Sequence, residues 1–151
     1  MLSIRPVCLS DSEDIYQWEF DPSTRKWMSD TSVVSYTKHL EWLEEKLKDE
    51  NFCLLIINDG YFKVGIIRCD VSNCYRKAEI GITLNPNARG KGYSKQCLEL
   101  GMSFIRENRW QVSVFTSTIK SDNIISQKIF NDVGFEFIEK NNGFHLFKYE
   151  V

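Results

Sequence analysis

The sequence predicts an α/β fold, a single domain in which strands and helices are interleaved, and three observations support this prediction. The chain has 151 residues, a length typical of one domain. Its periodic segments follow the order β-α-α-β-β-β-α-β-α-β-β, which is typical of a sheet with packed helices. Hydrophobic residues make up 42% of the chain and the net charge is −2, values that indicate a folded core and exclude intrinsic disorder.

The first third of the chain contains one strand and two helices. Residues 2–7 form the strand, which Pro6 closes. Ser10-Asp11-Ser12-Glu13 has the pattern of a capping box, so the first helix should begin at Ser10. Residues 21–34 are polar and predicted to be irregular. The second helix starts after Ser35, and its apolar residues have the spacing of one helical face: Tyr36, Leu40, Leu43 and Leu47.

Three consecutive strands are predicted in the middle of the chain, at residues 52–58, 61–71 and 75–84. Asp59-Gly60 is a hairpin turn between the first two. The turn-rich residues 85–92 then lead into a helix that runs from Tyr93 to about Glu107.

The last third of the chain alternates between strand and helix patterns again. A strand at residues 110–118 precedes a helix from about Asp122 to Val133, which Gly134 ends. Two β segments joined by the turn Asn142-Gly143 complete the chain, at residues 135–139 and 144–150.

Composition and the start of the chain exclude several classes of protein. A pI near 5.7 argues against a general nucleic-acid binder. No apolar run approaches the ~20 residues of a transmembrane helix, so we expect no membrane partner. The beginning of the chain lacks the apolar core of a signal peptide, so we expect a cytoplasmic protein.

The cysteines and histidines predict neither disulfides nor a metal site. Five cysteines are an odd number, and disulfides are not expected in a reducing compartment. No Cys-x-x-Cys motif occurs, and the two histidines, His39 and His145, are far apart in the sequence. The cysteines are therefore interpreted as small, buried hydrophobic residues.

Residues 85–94, Asn-Pro-Asn-Ala-Arg-Gly-Lys-Gly-Tyr-Ser, form a glycine-containing loop between a strand and a helix. Such a junction directs free backbone N–H groups and the positive end of a helix dipole toward one point. Gly90 and Gly92 allow positive φ angles and the close approach of a ligand. Between Glu79 and Glu99 there is no acidic residue, while three are basic: Arg89, Lys91 and Lys95. The loop predicts a site for an anion such as pyrophosphate, and a plain turn is the alternative.

A second segment makes this pattern specific. Arg89-Gly90-Lys91-Gly92-Tyr93 resembles the acyl-CoA loop of the GNAT N-acetyltransferase superfamily. The loop departs from the family pattern at Asn87, which holds the position of a glutamine or arginine. Because backbone amides carry most of the binding, this departure should weaken the resemblance little. The residues that resemble the second CoA-side helix of the superfamily are Asn123, Ser126, Gly134 and Phe135.

The resemblance implies a GNAT fold over residues 1–151. Its mixed, mostly antiparallel sheet splays apart between the fourth and fifth strands and has helices on both faces. Acetyl-CoA would lie in that V as the cosubstrate, and its acetyl group would pass directly to a primary amine in a ternary complex. The implied cofactor-binding residues are Ile82, Thr83 and Leu84 for the pantetheine, Arg89, Gly90, Lys91, Gly92, Tyr93 and Ser94 for the pyrophosphate, and Asn123 and Phe130 on the second helix.

Glu79 is the candidate catalytic base, because it matches a glutamate that many family members carry in an Ala-Glu-Ile context. It would deprotonate the acceptor amine, with a water molecule between them. The alternative is a structural glutamate that pairs with Arg76 or Lys77.

The acid that protonates the leaving thiolate is less defined. The family's usual tyrosine is replaced by Phe130, which has no proton to donate and which is interpreted as core or as a wall of the pantetheine site. Ser126 and Tyr93 are candidate replacements, and a third alternative is that no side chain protonates the thiolate. Cys97 is interpreted as a core residue rather than a nucleophile, because its helical neighbours are apolar.

The predicted acceptor-binding residues are Arg25, Trp27, Met28, His39 and Trp42. The residues that resemble the GNAT branch that acetylates amino groups on nucleotide-linked deoxysugars are Trp18-Glu19-Phe20-Asp21-Pro22, Arg25, Met28, His39 and Trp42. His39 and Trp42 are three residues apart and share a helix face, predicted to differ from the leucine face. The alternative is that Trp42 packs against the first helix and His39 is solvated.

Three functions are compatible with these residues. The leading one is an N-acetyltransferase that acts on an amino-sugar nucleotide in surface polysaccharide biosynthesis. The second is an acetyltransferase of protein N-termini, as for ribosomal proteins. The third is a non-catalytic acyl-CoA-binding module, for which the missing tyrosine is the best argument. The chain is expected to be a monomer or a homodimer.

Overall fold

The structure, a computed structural model, describes residues 1–72, 74, 76–108 and 111–151. Its strands are β1 (Leu2–Pro6), β2 (Phe52–Asp59), β3 (Phe62–Val71), β4 (Lys77–Leu84), β5 (Val114–Lys120), β6 (Glu136–Asn141) and β7 (Phe144–Glu150). Its helices are α1 (Ser12–Glu19), α2 (Pro22–Arg25), α3 (Tyr36–Leu47), α4 (Tyr93–Asn108) and α5 (Ile124–Val133). The predicted starts of two strands, at Tyr75 and Trp110, lie outside the described residues.

The strands form one sheet in the order β1-β2-β3-β4-β5-β7-β6. Neighbouring strands are antiparallel except β4 and β5, which run parallel. The prediction of a mixed, mostly antiparallel sheet is confirmed. The C-terminal hairpin joins the sheet through its second strand, because β7 lies between β5 and β6.

Helices cover both faces of the sheet, as two successive residues of β3 illustrate. Ile66 belongs to the core on the side of α1 and α3, together with Trp18 and Leu43. Ile67 points the opposite way and belongs to the core on the side of α4 and α5, together with Leu98. Both isoleucines are at most 1% exposed. The prediction of helices on both faces is confirmed.

Helix α4 lies close to the sheet at Gly101. A β-carbon at this position would be 2.8 Å from Cγ1 and 2.9 Å from Cγ2 of Ile67, well inside van der Waals contact. The absence of a side chain therefore lets the α4 backbone rest on β3 and sets the distance between helix and sheet.

The first helix starts at Ser12, after a 3-10 turn over Leu9–Asp11, rather than at Ser10 as predicted. Asp11 explains the shift. Its carboxylate accepts hydrogen bonds from Nη1 and Nη2 of Arg5, each at 2.8 Å, and from the backbone N–H of Cys8 at 3.0 Å. The Arg5 guanidinium, assisted by the Cys8 N–H, lowers the pKa of Asp11 to about 2.

Residues 21–34 are not irregular throughout, because Pro22–Arg25 form the short helix α2. The Asp21 carboxylate caps this helix by accepting a hydrogen bond from the Ser23 N–H at 2.9 Å. Pro22 occupies the first helical position, where a backbone N–H has no intrahelical partner. The capping signal Asp21-Pro22 was present in the sequence, but the helix of four residues is too short to show helical periodicity.

The buried face of α3 differs from the predicted leucine face. His39 is 2% exposed and Leu43 is 0% exposed, whereas Leu47 is 37% exposed. His39 and Leu43 are four residues apart and therefore share one face, which is the face turned to the sheet. The prediction that the leucines occupy a face separate from His39 is wrong.

Candidate active site

The V between β4 and β5 is the central feature of the site. The two strands pair only over residues 77–79 of β4 and 114–116 of β5. Beyond this point β4 follows β3 as far as Leu84, and β5 follows β7 as far as Lys120. The predicted splay is confirmed. It leaves the inner edge of β4 without a neighbouring strand from Ile80 to Leu84, so an extended ligand can pair with it.

The loop at the mouth of the V is shaped by two glycines. Gly90 has φ 74° and Gly92 has φ 80°, values that other residues adopt only with strain. Helix α4 begins directly afterwards, and its first N–H groups have no intrahelical acceptor. No acidic side chain lies in its first turn, so the local field favours an anion.

The side chains of the loop contact other parts of the protein rather than one another. Arg89 donates hydrogen bonds to Oγ of Ser23 at 2.5 Å and to Oγ1 of Thr24. The Tyr93 hydroxyl donates to Oδ2 of Asp59 at 2.7 Å. The groups that the loop leaves available for the predicted anion are therefore mainly backbone N–H groups.

Helix α5 begins at the end of β5, on the other side of the mouth. Asn123 caps it by accepting a hydrogen bond from the Ser126 N–H at 3.2 Å. Gly134 ends it in a left-handed conformation. Phe130 is 2% exposed and lies edge-on to Phe135, with ring centroids 5.0 Å apart. The structure thus places the Phe130 ring in the core.

Glu79 lies on the sheet face that carries α1 and α3. It is exposed and stands opposite Asp70 on β3 and Thr116 on β5, at the last residue pair before the strands diverge. No ion pair joins Glu79 to any residue that the structure describes, so the alternative pairing with Arg76 or Lys77 finds no support here. A carboxylate in this position borders the opening of the V.

Comparison with known proteins identifies this arrangement. Residues 1–136 match the family model of the acetyltransferase (GNAT) domain. The chain belongs to the GNAT family. It is an N-acetyltransferase whose acyl donor is acetyl-CoA, and its acceptor is an amine.

Relatives and solved structures agree with this assignment. The chain is 26% identical over 151 residues to an N-acetyltransferase 9-like protein of Nematostella vectensis, covering 85% of this chain and 76% of the relative. Its fold is similar to that of the spermidine N-acetyltransferase of Vibrio cholerae in complex with CoA and spermine, with a TM-score of 0.85, 13% identity, and 97% and 92% of the two chains covered. It is also similar to the Campylobacter jejuni N-acetyltransferase PseH in complex with acetyl coenzyme A, with a TM-score of 0.79, 14% identity and 99% of each chain covered.

The side chains near the GNAT donor loop differ in their ability to release a proton. The hydrogen bond to Asp59 raises the pKa of Tyr93, so this hydroxyl holds its proton and directs it at a carboxylate. Ser126 is half-buried in the first turn of α5. Cys97 is 1% exposed, and burial raises the pKa of its thiol to about 11, which agrees with its interpretation as a core residue.

On the acceptor side of the GNAT site, His39 is buried in an aromatic cluster. Its ring centroid lies 5.3 Å from that of Tyr16 and 5.8 Å from that of Phe20, and it stacks on Trp42 at 5.7 Å. Its Nε2 atom has no hydrogen-bond partner among the described residues, and burial lowers its pKa. The alternative of a solvated His39 is wrong, because its side chain is buried. Trp42 packs against the core cluster that includes Ile15 and Trp18 of α1, and its ring centroid lies 6.0 Å from that of Phe52 on β2.

Two more predicted acceptor residues join this cluster through Phe20. The Arg25 guanidinium lies 4.4 Å from the centre of the Phe20 ring, and its Nη1 donates to Sδ of Met28 at 3.0 Å. Trp27 makes no ring contact with this cluster among the described residues, and the Lys26 ammonium lies 5.0 Å from the centre of its ring. The structure therefore brings four of the five predicted residues together and leaves Trp27 apart.

A cavity of about 380 Å³ opens on the sheet face that carries Glu79. Thr118 of β5, two residues beyond the partner of Glu79, lies in its wall. The sequence analysis missed this cavity. One of its walls is the hairpin of β6 and β7, and that hairpin lies beside β5 only because β7 is inserted between β5 and β6. The lining residues are Ser29, Thr118, Glu139, Asn141, Asn142, Phe144 and Leu146.

Glu19 is a buried acidic residue that the sequence analysis also missed. It is the last residue of α1 and is 7% exposed. Burial raises its pKa, and the charges of Arg68 and Arg25 oppose that shift. Arg68 lies on β3 opposite Gly81, so Glu19 is near the face that carries Glu79. An acid between two aromatic residues at the end of an amphipathic helix was the available signal.

Two further properties concern the described ranges as a whole. No three His, Cys, Asp or Glu side chains within them gather so that they could hold a metal ion. None of the helices described is both long enough and apolar enough to cross a membrane.

Proposed function

We propose that this GNAT enzyme acetylates the primary amine of a nucleotide-linked amino sugar, a reaction that suits surface polysaccharide biosynthesis. The chemistry of the acceptor-side cavity carries the proposal. Four of its lining residues are neutral hydrogen-bonding groups: Ser29, Thr118, Asn141 and Asn142. Phe144 and Leu146 add an apolar surface, and Glu139 is the one carboxylate in the wall.

A sugar ring presents hydroxyl groups at its edge and C–H groups on its faces, and this lining offers partners for both. A polyamine, the other class of acceptor that a fold neighbour binds, carries several positive charges. It would gain more from a cavity lined by several carboxylates than from one with a single Glu139. The volume of about 380 Å³ fits one sugar ring.

The donor side of the proposed mechanism uses backbone groups. The pantetheine would pair with the free edge of β4 at Ile82, Thr83 and Leu84. Its pyrophosphate would accept hydrogen bonds from N–H groups between Arg89 and Ser94, where the α4 dipole adds favourable charge. Asn123 would act indirectly, since its side chain fixes the start of α5 on the other side of the mouth.

Glu79 is the proposed base. The amine must lose a proton before it attacks the thioester carbonyl, and Glu79 borders the V where that carbonyl would lie. A backbone N–H on the free edge of β4 would stabilise the oxyanion of the tetrahedral intermediate. Because the Tyr93 hydroxyl is engaged by Asp59, the thiolate would take its proton from Ser126 or from water.

The experiment is an assay of CoA thiol release with a panel of amines. The panel contains a nucleotide-linked amino sugar, spermidine, and a peptide with a free α-amine. We expect the amino-sugar nucleotide to give the highest kcat/KM. Preference for the peptide would support the N-terminal acetyltransferase instead. Binding of acetyl-CoA without thiol release for any amine would support the non-catalytic module.

A further inference from the structure

Helix α2 and its flanking residues bridge the mouth of the V. We call residues 21–26 the strap. On one side, the Arg89 guanidinium reaches from the β4–α4 loop and donates to Oγ of Ser23 at 2.5 Å and to Oγ1 of Thr24. These contacts join the strap to the arm of the V that ends in β4.

The strap is attached to the opposite arm by a lysine. The Nζ atom of Lys120, the last residue of β5, donates to the backbone carbonyl oxygen of Lys26 at 2.6 Å. Because β4 and β5 separate after Glu79, Arg89 and Lys120 stand on different arms of the V. The strap is therefore bonded near its middle to one arm of the V and at its last residue to the other.

Local electrostatics favour the attachment of Arg89 to the strap. Asp21 is bonded to the side chain and the N–H of Ser23, which lowers its pKa, and the positive charge of Arg89 contributes to the same shift. Arg89 thus faces two hydroxyl groups and a carboxylate on the strap. The loop retains its N–H groups and the charges of Lys91 and Lys95 for an anion.

We propose that Arg89 and Lys120 are positioning residues for the acceptor, which act by holding the strap across the mouth of the V. On this basis the Arg89 side chain serves the acceptor side, although it belongs to the donor loop. The proposal rests on the proposed function in so far as an acceptor amine enters beside the strap.

The strap leads directly to residues that shape the acceptor side. Arg25 is its penultimate residue and packs on Phe20. Met28 and Ser29 follow within three residues, and Ser29 lines the cavity beside Thr118. If either attachment is lost, the strap can move, and the wall that contains Ser29 moves with it. Acceptor binding should then weaken while the backbone site for acetyl-CoA is unchanged.

Steady-state kinetics test this separation. We expect Arg89→Ala and Lys120→Met each to raise the acceptor KM about fivefold or more, with the dissociation constant of acetyl-CoA within about twofold of the parent. The conservative variants Arg89→Lys and Lys120→Arg should recover much of the loss. Lys128→Met is the matched control, because Lys128 is an exposed lysine whose one bonding partner among the described residues is Asp132, one turn further along α5.

Limited trypsin digestion tests the strap without an acceptor. The strap contains two trypsin sites, after Arg25 and after Lys26. Cleavage of a folded protein follows the population of the locally open form, so we expect about tenfold faster cleavage at these sites in Arg89→Ala and Lys120→Met. Mass spectrometry identifies the cut, and unchanged thermal midpoints show that the fold is intact.

One result overturns the proposal. Suppose that Arg89→Ala lowers the affinity for acetyl-CoA tenfold, while the acceptor KM and the cleavage rate stay at the parental values. Arg89 is then a pyrophosphate ligand and does not hold the strap. Failure of the proposed function looks different. In that case no amine in the panel is acetylated, while the digestion and the acetyl-CoA affinity still report whether Arg89 and Lys120 hold the strap.

Discussion

The donor and acceptor sides of the V are built from different chemical groups. On the donor side, the proposed binding surface consists of the free edge of β4 and the N–H groups near Gly90 and Gly92. On the acceptor side, the surface consists of side chains from separate elements, as where Phe20 links Arg25 to His39. A site made of backbone can bind one cosubstrate throughout a family, whereas a site made of side chains can change its acceptor by substitution.

The same contrast appears in how the two sides are held in place. The donor loop follows β4, which pairs with β3 along one edge as far as Leu84, and two positive φ angles set the shape of the loop. Asp11, the residue before helix α1 on the acceptor side, joins the start of that helix to β1 through its hydrogen bonds with Arg5. We therefore expect substitutions on the donor side to change acetyl-CoA affinity, and those on the acceptor side to change stability or acceptor KM.

Glu79 lies between the two sides, and its removal should have the largest effect. If it deprotonates the amine, Glu79→Gln should lower kcat by about 10²-fold or more and leave acetyl-CoA affinity intact. The acidic limb of the pH–rate profile should also flatten. Glu136→Gln, at an exposed glutamate of β6, is the control and should retain activity. Near-normal turnover of Glu79→Gln at every pH would assign Glu79 a structural role.

Substitution of the loop glycines should affect only the donor. Gly90→Val or Gly92→Val places a β-branched residue at a positive φ angle, so the loop must change shape. The expected loss in acetyl-CoA affinity is about 2 kcal/mol, or about thirtyfold, the cost of a lost hydrogen bond to a charged group. Titration calorimetry measures it.

Gly143→Val provides the matched control for the loop. Gly143 also has a positive φ angle, 81°, and open space around it, but it lies in the turn between β6 and β7, away from the donor loop. It should reduce stability without changing acetyl-CoA affinity. Unchanged affinity in both loop variants would mean that the loop is only a turn.

Asp11 tests how the acceptor side is held. Its pKa is lowered from 3.8 to about 2 in the folded protein, so its contribution to stability is present above pH 4 and is lost as the pH falls toward 2. Asp11→Asn should lower the free energy of unfolding at pH 7 by about 2 kcal/mol and should remove that part of the acid transition. Urea titrations at several pH values measure both effects.

A neighbouring ion pair gives the control for Asp11. Asp14 bonds to Lys63 at 2.5 Å, but both side chains are more than one-third exposed. Asp14→Asn should therefore cost less than about 1 kcal/mol. Equal losses in the two variants would show that burial of the Arg5–Asp11 pair is not what ties α1 to β1.

The smallest expected change in kinetics, after those at Glu79 and the loop glycines, is that of Trp27→Ala, and its comparison with Trp42→Ala separates a residue of the acceptor wall from a residue of the core. Trp27 lies outside the aromatic cluster, so Trp27→Ala should change the thermal midpoint little. If Trp27 lines the acceptor wall as predicted, the loss of its stacking surface should raise the acceptor KM about tenfold. Trp42 packs on His39 and Phe52, so Trp42→Ala should lower the thermal midpoint clearly. Destabilisation of both variants without a change in acceptor KM would remove Trp27 from the acceptor wall.

Local sequence was sufficient to predict the donor side. A strand, two glycines in a short loop and a helix start are neighbours in the chain, so the position of Gly90 and Gly92 at the mouth of the V followed from residues 85–94. The order of elements was also predictable, because alternation and helical spacing are local patterns. The splay between β4 and β5 came from the family resemblance, since no local pattern encodes it.

The acceptor side could be predicted only in part. His39 and Trp42 were correctly placed on one helix face, but the burial of His39 depends on Tyr16 and Phe20, which no pattern in α3 specifies. The cavity at Thr118 depends on the insertion of β7 beside β5. Such contacts join residues far apart in the chain, and they are decided by packing rather than by propensity.

Helix α4 connects the packing of the core at Gly101 to the donor loop at the first residue of the helix, Tyr93. Eight residues separate Gly101 from Tyr93, a distance of about 12 Å along the helix axis. Because Ile67 fills the space where a β-carbon would lie, a side chain at Gly101 must displace either the Ile67 side chain or the helix. A displaced helix would carry the loop N–H groups at its start with it, so the core contact between Gly101 and Ile67 helps to fix the position of the donor loop.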